Sequence, residues 1–177
     1  MNYKDELTKA LELLGQDDRV VFIGQGAEYS GSPMFEAVEK IDPKKRFEMP
    51  VAEDMQTGIA IGLSLMGYIP MSMHPRMDFL MCCMNQLVNH LDKIDEMSSN
   101  RFHAKIIIRV AVGSKYPLDP GAQHCQDYTE VLRCALKNVD IVQLLRAENI
   151  VPEYIKALNS EKSSILIEYT SKVRGYE

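Results

Sequence analysis

The sequence lacks the features of a membrane protein or a nucleic-acid-binding protein. No stretch reaches the ~18 consecutive apolar residues of a membrane span, and the polar N-terminus has no apolar signal core. The net charge is -5, and the longest basic run, residues 44–46, has no interleaved aromatic residues. We therefore expect a cytoplasmic protein that binds neither membranes nor nucleic acid.

The chain also lacks tryptophan and any Cys-x-x-Cys pair. Its four cysteines are not spaced for a zinc knuckle or a redox motif, so we expect reduced, packed thiols and no metal ligands in this chain. The 177 residues, 46% of them hydrophobic, suit one domain over residues 1–177 with a substantial core.

Apolar periodicity predicts strands that alternate with helices along the whole chain. The predicted strands cover residues 19–23, 46–49, 68–73, 104–110, 139–144 and 164–169. The predicted helices cover residues 3–14, 33–38, 57–66, 77–97, 129–136 and 151–158. This alternation predicts an α/β fold, a three-layer α/β/α arrangement with a mostly parallel sheet.

Three loops follow the carboxyl ends of predicted strands: residues 24–32, 50–53 and 113–126. Ligands bind parallel sheets at this edge, and the third loop is longer than most connections. Because their loops share this edge, Glu53 and His124 are expected to face one crevice. Gly24-Gln25-Gly26 also follows a strand, but the third glycine of a dinucleotide fingerprint is missing, which argues against an unrelated nucleotide-binding domain.

Glu53 stands at a corner between a strand and an apolar helix. Pro50 ends the strand, and residues 57–66 are almost all apolar or small. A carboxyl withdrawn from water at this corner could exchange a proton with a ligand. The alternative is that Glu53 only complements the dipole of the first helical turn.

The order of several motifs resembles the pyrimidine-binding domain of thiamine-diphosphate enzymes. The motifs are similar to those of beta subunits of the 2-oxoacid dehydrogenases, in the transketolase superfamily. The motifs that carry it are Pro50-x-x-Glu53, Gly58-x-Ala60-x-Gly62, Phe79 twenty-six residues after the acid, Asn85-Gln86-Leu87-Val88-Asn89 with Met97-Ser98, and Gly121-Ala122-Gln123-His124-Cys125-Gln126.

The resemblance implies roles for individual residues. Glu53 would hydrogen-bond the pyrimidine nitrogen of thiamine diphosphate and promote its imino tautomer, while Phe79 would stack on the ring. His124 would contact the substrate, and Tyr29 and Gln25 would bind the cofactor. The chain departs from the family at Gln25 and Gly26, where relatives carry acids that relay protons between paired sites.

Nothing in the sequence resembles the Gly-Asp-Gly…Asn motif that holds the diphosphate and Mg²⁺, and we expect no diphosphate-binding or C-terminal transketolase-type domain here. The resemblance therefore implies an alpha-type partner subunit holding Mg²⁺, in a heterotetramer with two copies of each chain. Gly58, Gly62 and the Phe79 helix are candidate contacts. The expected reaction decarboxylates a small-molecule 2-oxoacid or transfers a two-carbon or acyl unit from a 2-oxoacid or ketose. The alternative is a non-catalytic regulatory or binding domain.

Overall fold

The computed structural model describes residues 2–175, which form a six-stranded sheet between two layers of helices. The strands are β1 (Val20–Gly24), β2 (Arg46–Glu48), β3 (Ile69–His74), β4 (Ile107–Val112), β5 (Asp140–Gln143) and β6 (Ser164–Tyr169). Their spatial order is β2-β1-β3-β4-β6-β5, and every pairing is parallel. The predicted three-layer α/β/α class is confirmed.

Eight α-helices flank the sheet in the described part of the chain. They are α1 (Tyr3–Gly15), α2 (Pro33–Glu36), α3 (Glu53–Leu65), α4 (Met77–Leu80), α5 (Ile94–Met97), α6 (Thr129–Ala135), α7 (Ala147–Asn159) and α8 (Thr170–Val173). Asn2 caps α1 by accepting from the backbone N–H of Lys4 at 2.9 Å, which satisfies a donor that the first turn leaves free.

Each face of the sheet has its own apolar core. On one face, α1 and α7 pack against Phe22, Met71 and Leu166 of the strands. On the other face, residues of α3, α4 and α6 pack around Ile108 and Ile165. Because both faces are covered, β3 and β4 are buried along their whole length, as apolar parallel strands require.

The predicted helix over residues 77–97 is wrong as a single α-helix. The structure divides it into α4, a 3₁₀ turn at Met81–Cys83, a π segment at Gln86–Leu91 and α5. Leu87 and Leu91 are nonetheless buried in the core as the stripe predicted. Periodicity locates the apolar face, but it does not distinguish short α, 3₁₀ and π turns.

Helix α3 begins at Glu53, at the corner that follows Pro50. The backbone N–H of Ala52 donates to the carbonyl of Pro50 at 2.8 Å, and the N–H of Gln56 donates to the carbonyl of Ala52 at 2.9 Å. The turn at Pro50 therefore leads directly into the helix and places Glu53 in its first turn. None of the helices in residues 2–175 combines the length and apolarity needed to cross a bilayer.

Candidate functional site

A cleft of about 440 Å³ opens at the carboxyl edge of the sheet. Strand β2 lies on one side of β1, and β3 lies on its other side. The connections from these neighbouring strands therefore run in opposite directions, which makes the gap between β1 and β3 the switch point of the sheet. Open α/β sheets bind ligands at such a point. Gln25 follows β1, Arg76 follows β3, and both line this cleft together with Phe79 and His124.

Glu53 lies beside the cleft and is only 7% exposed. The side-chain amide of Gln25 donates to its carboxyl Oε1 at 3.5 Å, the long limit for a hydrogen bond. Gln25 itself lines the cleft, so it links the cleft wall to the buried acid. The structure thus brings Glu53, Gln25, Phe79 and His124 into one neighbourhood, from four separate segments of the chain.

Phe79 and His124 form an edge-to-face pair with ring centroids 5.4 Å apart and planes at 90°. Both rings are half-buried, and His124 Nδ1 is buried without a hydrogen-bond partner among the described residues. A Cβ on Gly113 would lie 1.8 Å from the carbonyl oxygen of His124. Only glycine therefore lets the long loop pack so closely and hold His124 over Phe79.

Tyr29 is not among the residues that line the cleft, and it is 70% exposed. The loop that carries it is held by Glu48, a residue the sequence reasoning did not single out. The Glu48 carboxylate accepts backbone N–H groups from Gly26, Ala27 and Glu28 at 2.7–2.9 Å. These bonds fix residues 26–28 and leave Tyr29 facing solvent.

A buried ion pair below the cleft was also not predicted. Arg109 of β4 makes two bonds to the Glu168 carboxylate of β6, at 2.9 and 3.0 Å. A third bond joins Arg109 to the carbonyl of Met34 at 3.1 Å. Both charged side chains are essentially inaccessible, and Glu168 contributes to the cleft wall.

A second buried polar group connects α3 to β3. The amide of Gln56 donates to the carbonyl of Met73 at 3.0 Å and contacts Ser72 and His74 at 2.9 and 3.2 Å. Burial lowers the pKa of His74 to about 4, so its ring is neutral at pH 7. These contacts hold the first turns of α3, and hence Glu53, against the end of β3.

Helix α3 also presents an apolar face to solvent. Met55 and Ile59 are 45% and 40% exposed, and Met66, just after the helix, is 78% exposed. A Cβ on Gly62 would meet no atom within 4 Å, whereas Gly58 packs against Gln86 of the same chain. Of the two glycines predicted to allow a close approach, only Gly62 is open to another molecule.

Within residues 2–175, no group of three or more His, Cys, Asp or Glu side chains is arranged to hold a metal ion. The side chains around the cleft are instead an acid, an amide, two rings and guanidinium groups. This set suits an organic ligand with a ring and polar edges.

Comparison with known proteins gives one family and several relatives. The family model for the pyrimidine-binding domain of transketolase matches residues 1–175. The chain is 31% identical over 130 residues to the beta subunit of the mitochondrial pyruvate dehydrogenase E1 component of Ascaris suum, covering 71% of this chain and 36% of that protein. It is 28% identical over 118 residues to the 2-oxoisovalerate dehydrogenase beta subunit of Bacillus subtilis, covering 64% of this chain and 36% of that protein.

Among solved structures, a split-gene transketolase in an inactive beta4 tetramer superposes with a TM-score of 0.74 at 21% identity. The superposition covers 96% of this chain and 51% of that one, so it supports the same fold. In the two curated relatives above, the matched segment spans 36% of the full length.

Proposed function

The chain belongs to the family of transketolase pyrimidine-binding domains, and on that premise we propose that it is the beta-type subunit of a two-component thiamine-diphosphate enzyme. The substrate would be a 2-oxoacid or a ketose, from which the complex removes carbon dioxide or transfers a two-carbon or acyl unit. The observation that carries the proposal is the buried Glu53 carboxyl beside a cleft lined by Gln25, Phe79 and His124.

The residues present fit the aminopyrimidine end of thiamine diphosphate. Phe79 offers a half-buried aromatic ring to a flat heterocycle, and Glu53 offers a carboxyl shielded from water. His124 lines the same cleft, and its Nδ1 has no hydrogen-bond partner among the described residues, so the structure shows no contact of that nitrogen that fixes the ring. When bound, the cofactor supplies the electron sink for breaking a carbon–carbon bond.

The protein's part is to place groups and control protons. Glu53 would hold a proton at the pyrimidine nitrogen, and its first-turn position on α3 fixes it relative to β1 and β3. Gln25 would keep the carboxyl oriented through its amide, and Phe79 would bind the ring face. His124 would exchange a hydrogen bond or proton with the substrate through its imidazole ring, which lines the cleft.

The diphosphate and Mg²⁺ are assigned to a partner subunit, in a heterotetramer with two copies of each chain. One feature supports a partner: the face of Met55, Ile59, Gly62 and Met66 is apolar and uncovered. We expect a neighbouring reading frame to encode the partner with a Gly-Asp-Gly…Asn motif.

Replacement of Glu53 tests the catalytic role that the proposal gives to this chain. In the complex reconstituted with partner, thiamine diphosphate and Mg²⁺, Glu53→Gln should lower turnover by about 10²–10⁴-fold, the range for a lost acid–base group. Circular dichroism should show an unchanged fold, and Glu130→Gln, at an exposed carboxylate, serves as the control. Undiminished turnover in Glu53→Gln would favour the alternative of a binding or regulatory domain.

A charge on α3 tests the partner surface. Ile59→Glu should weaken association with the partner at least about tenfold, or ~1.4 kcal/mol, because it places a charge in an apolar contact. Val131→Glu is the matched control, since Val131 is also β-branched and similarly exposed, 45% against 40%, but lies on α6. Sedimentation velocity measures both, and equal effects of the two variants would refute this face as the interface.

A further inference from the structure

Two arginine side chains line the cleft, although the chain carries a net charge of -5. Arg76 and Arg174 both line the cleft. The carboxylate among the lining residues, Glu168, is bonded through both oxygens to Arg109 and is therefore neutralised. The guanidinium groups of Arg76 and Arg174 thus line the cleft without an ion-pair partner among the described residues.

Arg76 is held at the cleft with part of its donor set unused. It lies two residues after the end of β3, and its extended backbone (φ -141°, ψ 131°) precedes α4. Nη1 donates to the carbonyl of Pro75 at 2.8 Å, whereas Nε is buried and has no partner among residues 2–175. Nη2 also makes no hydrogen bond to the described residues and, unlike Nε, is not shielded from solvent, so it is available to a bound anion.

The nearest acid along the chain does not supply that anion. Asp78 lies two residues after Arg76, but no carboxylate of the described chain comes within ion-pair distance of Arg76. One oxygen of Asp78 instead accepts the backbone N–H of Gln126 at 3.4 Å. Asp78 is therefore turned toward the loop that carries His124.

We infer that Arg76, assisted by Arg174, binds an anionic group of the donor substrate, a carboxylate or a phosphate ester. The inference rests on the proposed function and adds the substrate's charge and the residue that recognises it. A planar guanidinium binds either anion through paired N–H bonds. Arg76 shares the cleft with Phe79 and His124, so the anionic group would lie in the same cleft as the reacting carbon.

A binding measurement on the full chain tests this without requiring turnover. The Nε–Hε signal of Arg76, assigned by its loss in Arg76→Lys, is followed by NMR during additions of pyruvate, fructose 6-phosphate or uncharged dihydroxyacetone. A saturable shift with pyruvate alone identifies a carboxylate, and one with fructose 6-phosphate alone identifies a phosphate. A response to both supports the shared anion site.

Specificity comes from two comparisons. Dihydroxyacetone should leave the Arg76 signal unchanged, and Arg76→Gln should reduce at least tenfold the anion affinity reported by the His124 ring signals. The inference is overturned if neither anion shifts Arg76, or if Arg19, at the opposite edge of the sheet, responds equally. Arg174→Gln should also lower the affinity for the anion, by a smaller factor.

Kinetics of the reconstituted complex provide the second readout. Arg76→Gln should raise KM for the anionic donor at least tenfold with a smaller change in kcat. Arg76→Lys keeps the charge and should therefore raise KM by less. Arg19→Gln should match wild type. A raised requirement for thiamine diphosphate instead would assign Arg76 to the cofactor and overturn the inference. If neither the wild-type complex nor any variant complex turned over substrate, the proposed function would be contradicted. The anion site would still be tested by the NMR titration, which does not require turnover.

Discussion

The buried Arg109–Glu168 pair makes a quantitative prediction. Glu168→Gln keeps the volume of the side chain but removes the charge that balances Arg109, which is 0% exposed. Breaking a buried ion pair on one side costs about 3–5 kcal/mol, because the remaining charge stays in a medium that solvates it poorly. This is a large part of the ~5–15 kcal/mol that stabilises a typical domain.

The same number predicts a thermal shift. At about 2–4 °C per kcal/mol for a chain of this size, the melting temperature of Glu168→Gln should fall by roughly 6–20 °C. Urea denaturation followed by circular dichroism gives the free energy of unfolding directly. Glu130→Gln, which removes an exposed partner of Arg133, should stay within about 0.5 kcal/mol of wild type.

A double replacement separates the pair's net contribution from the cost of breaking it. Arg109→Met with Glu168→Leu removes both charges, so it should be markedly more stable than Glu168→Gln alone. A cost below about 1 kcal/mol for Glu168→Gln would refute the reasoning, since it would mean that water or another group compensates Arg109.

Three further predictions concern glycine packing and pH. Gly113→Ala should leave the sheet intact but displace His124, because the new Cβ would lie 1.8 Å from the carbonyl oxygen of His124. The displacement should appear in NMR spectra as loss of the contact between the His124 and Phe79 rings, and it should lower turnover. Gly24→Ala should cost several kcal/mol or abolish soluble expression, since Gly24 has φ +134° and its Cβ would lie 2.3 Å from the carbonyl of Met73. Burial lowers the pKa of His74 to about 4, so the unfolded state binds more protons below pH 6.5. The contribution of His74 to the free energy of unfolding should therefore fall by about 3 kcal/mol between pH 6.5 and 4, and urea titrations of His74→Phe should show a smaller decline than wild type.

The sequence predicted the fold well because strands and helices alternate without interruption. Parallel connections bring the carboxyl ends of all strands to one edge of the sheet. The order of strands and helices along the chain was therefore enough to predict that Glu53 and His124 lie at the same edge. The family resemblance then added Phe79 and Gln25. It also suggested Tyr29, whose exposure in the structure depends on the bonds that Glu48 makes to the preceding loop.

Other parts of the site depend on contacts between distant residues. Arg109 and Glu168 are 59 positions apart, and their pairing depends on the register of β4 and β6, which periodicity does not give. Arg76 looks in sequence like a solvated residue after a strand. Its unpartnered Nε becomes evident only when the loop 113–126 and α8 enclose the cleft.

The central claim is that Glu53 controls the proton on the cofactor's pyrimidine ring. The most direct measurement is the rate at which the thiazolium C2 proton of thiamine diphosphate exchanges with deuterium in the reconstituted complex, followed by quenched-flow NMR. Glu53→Gln should slow this exchange at least about 100-fold while cofactor affinity changes far less, and Glu130→Gln should match wild type. An exchange rate in Glu53→Gln equal to that of wild type would contradict the account.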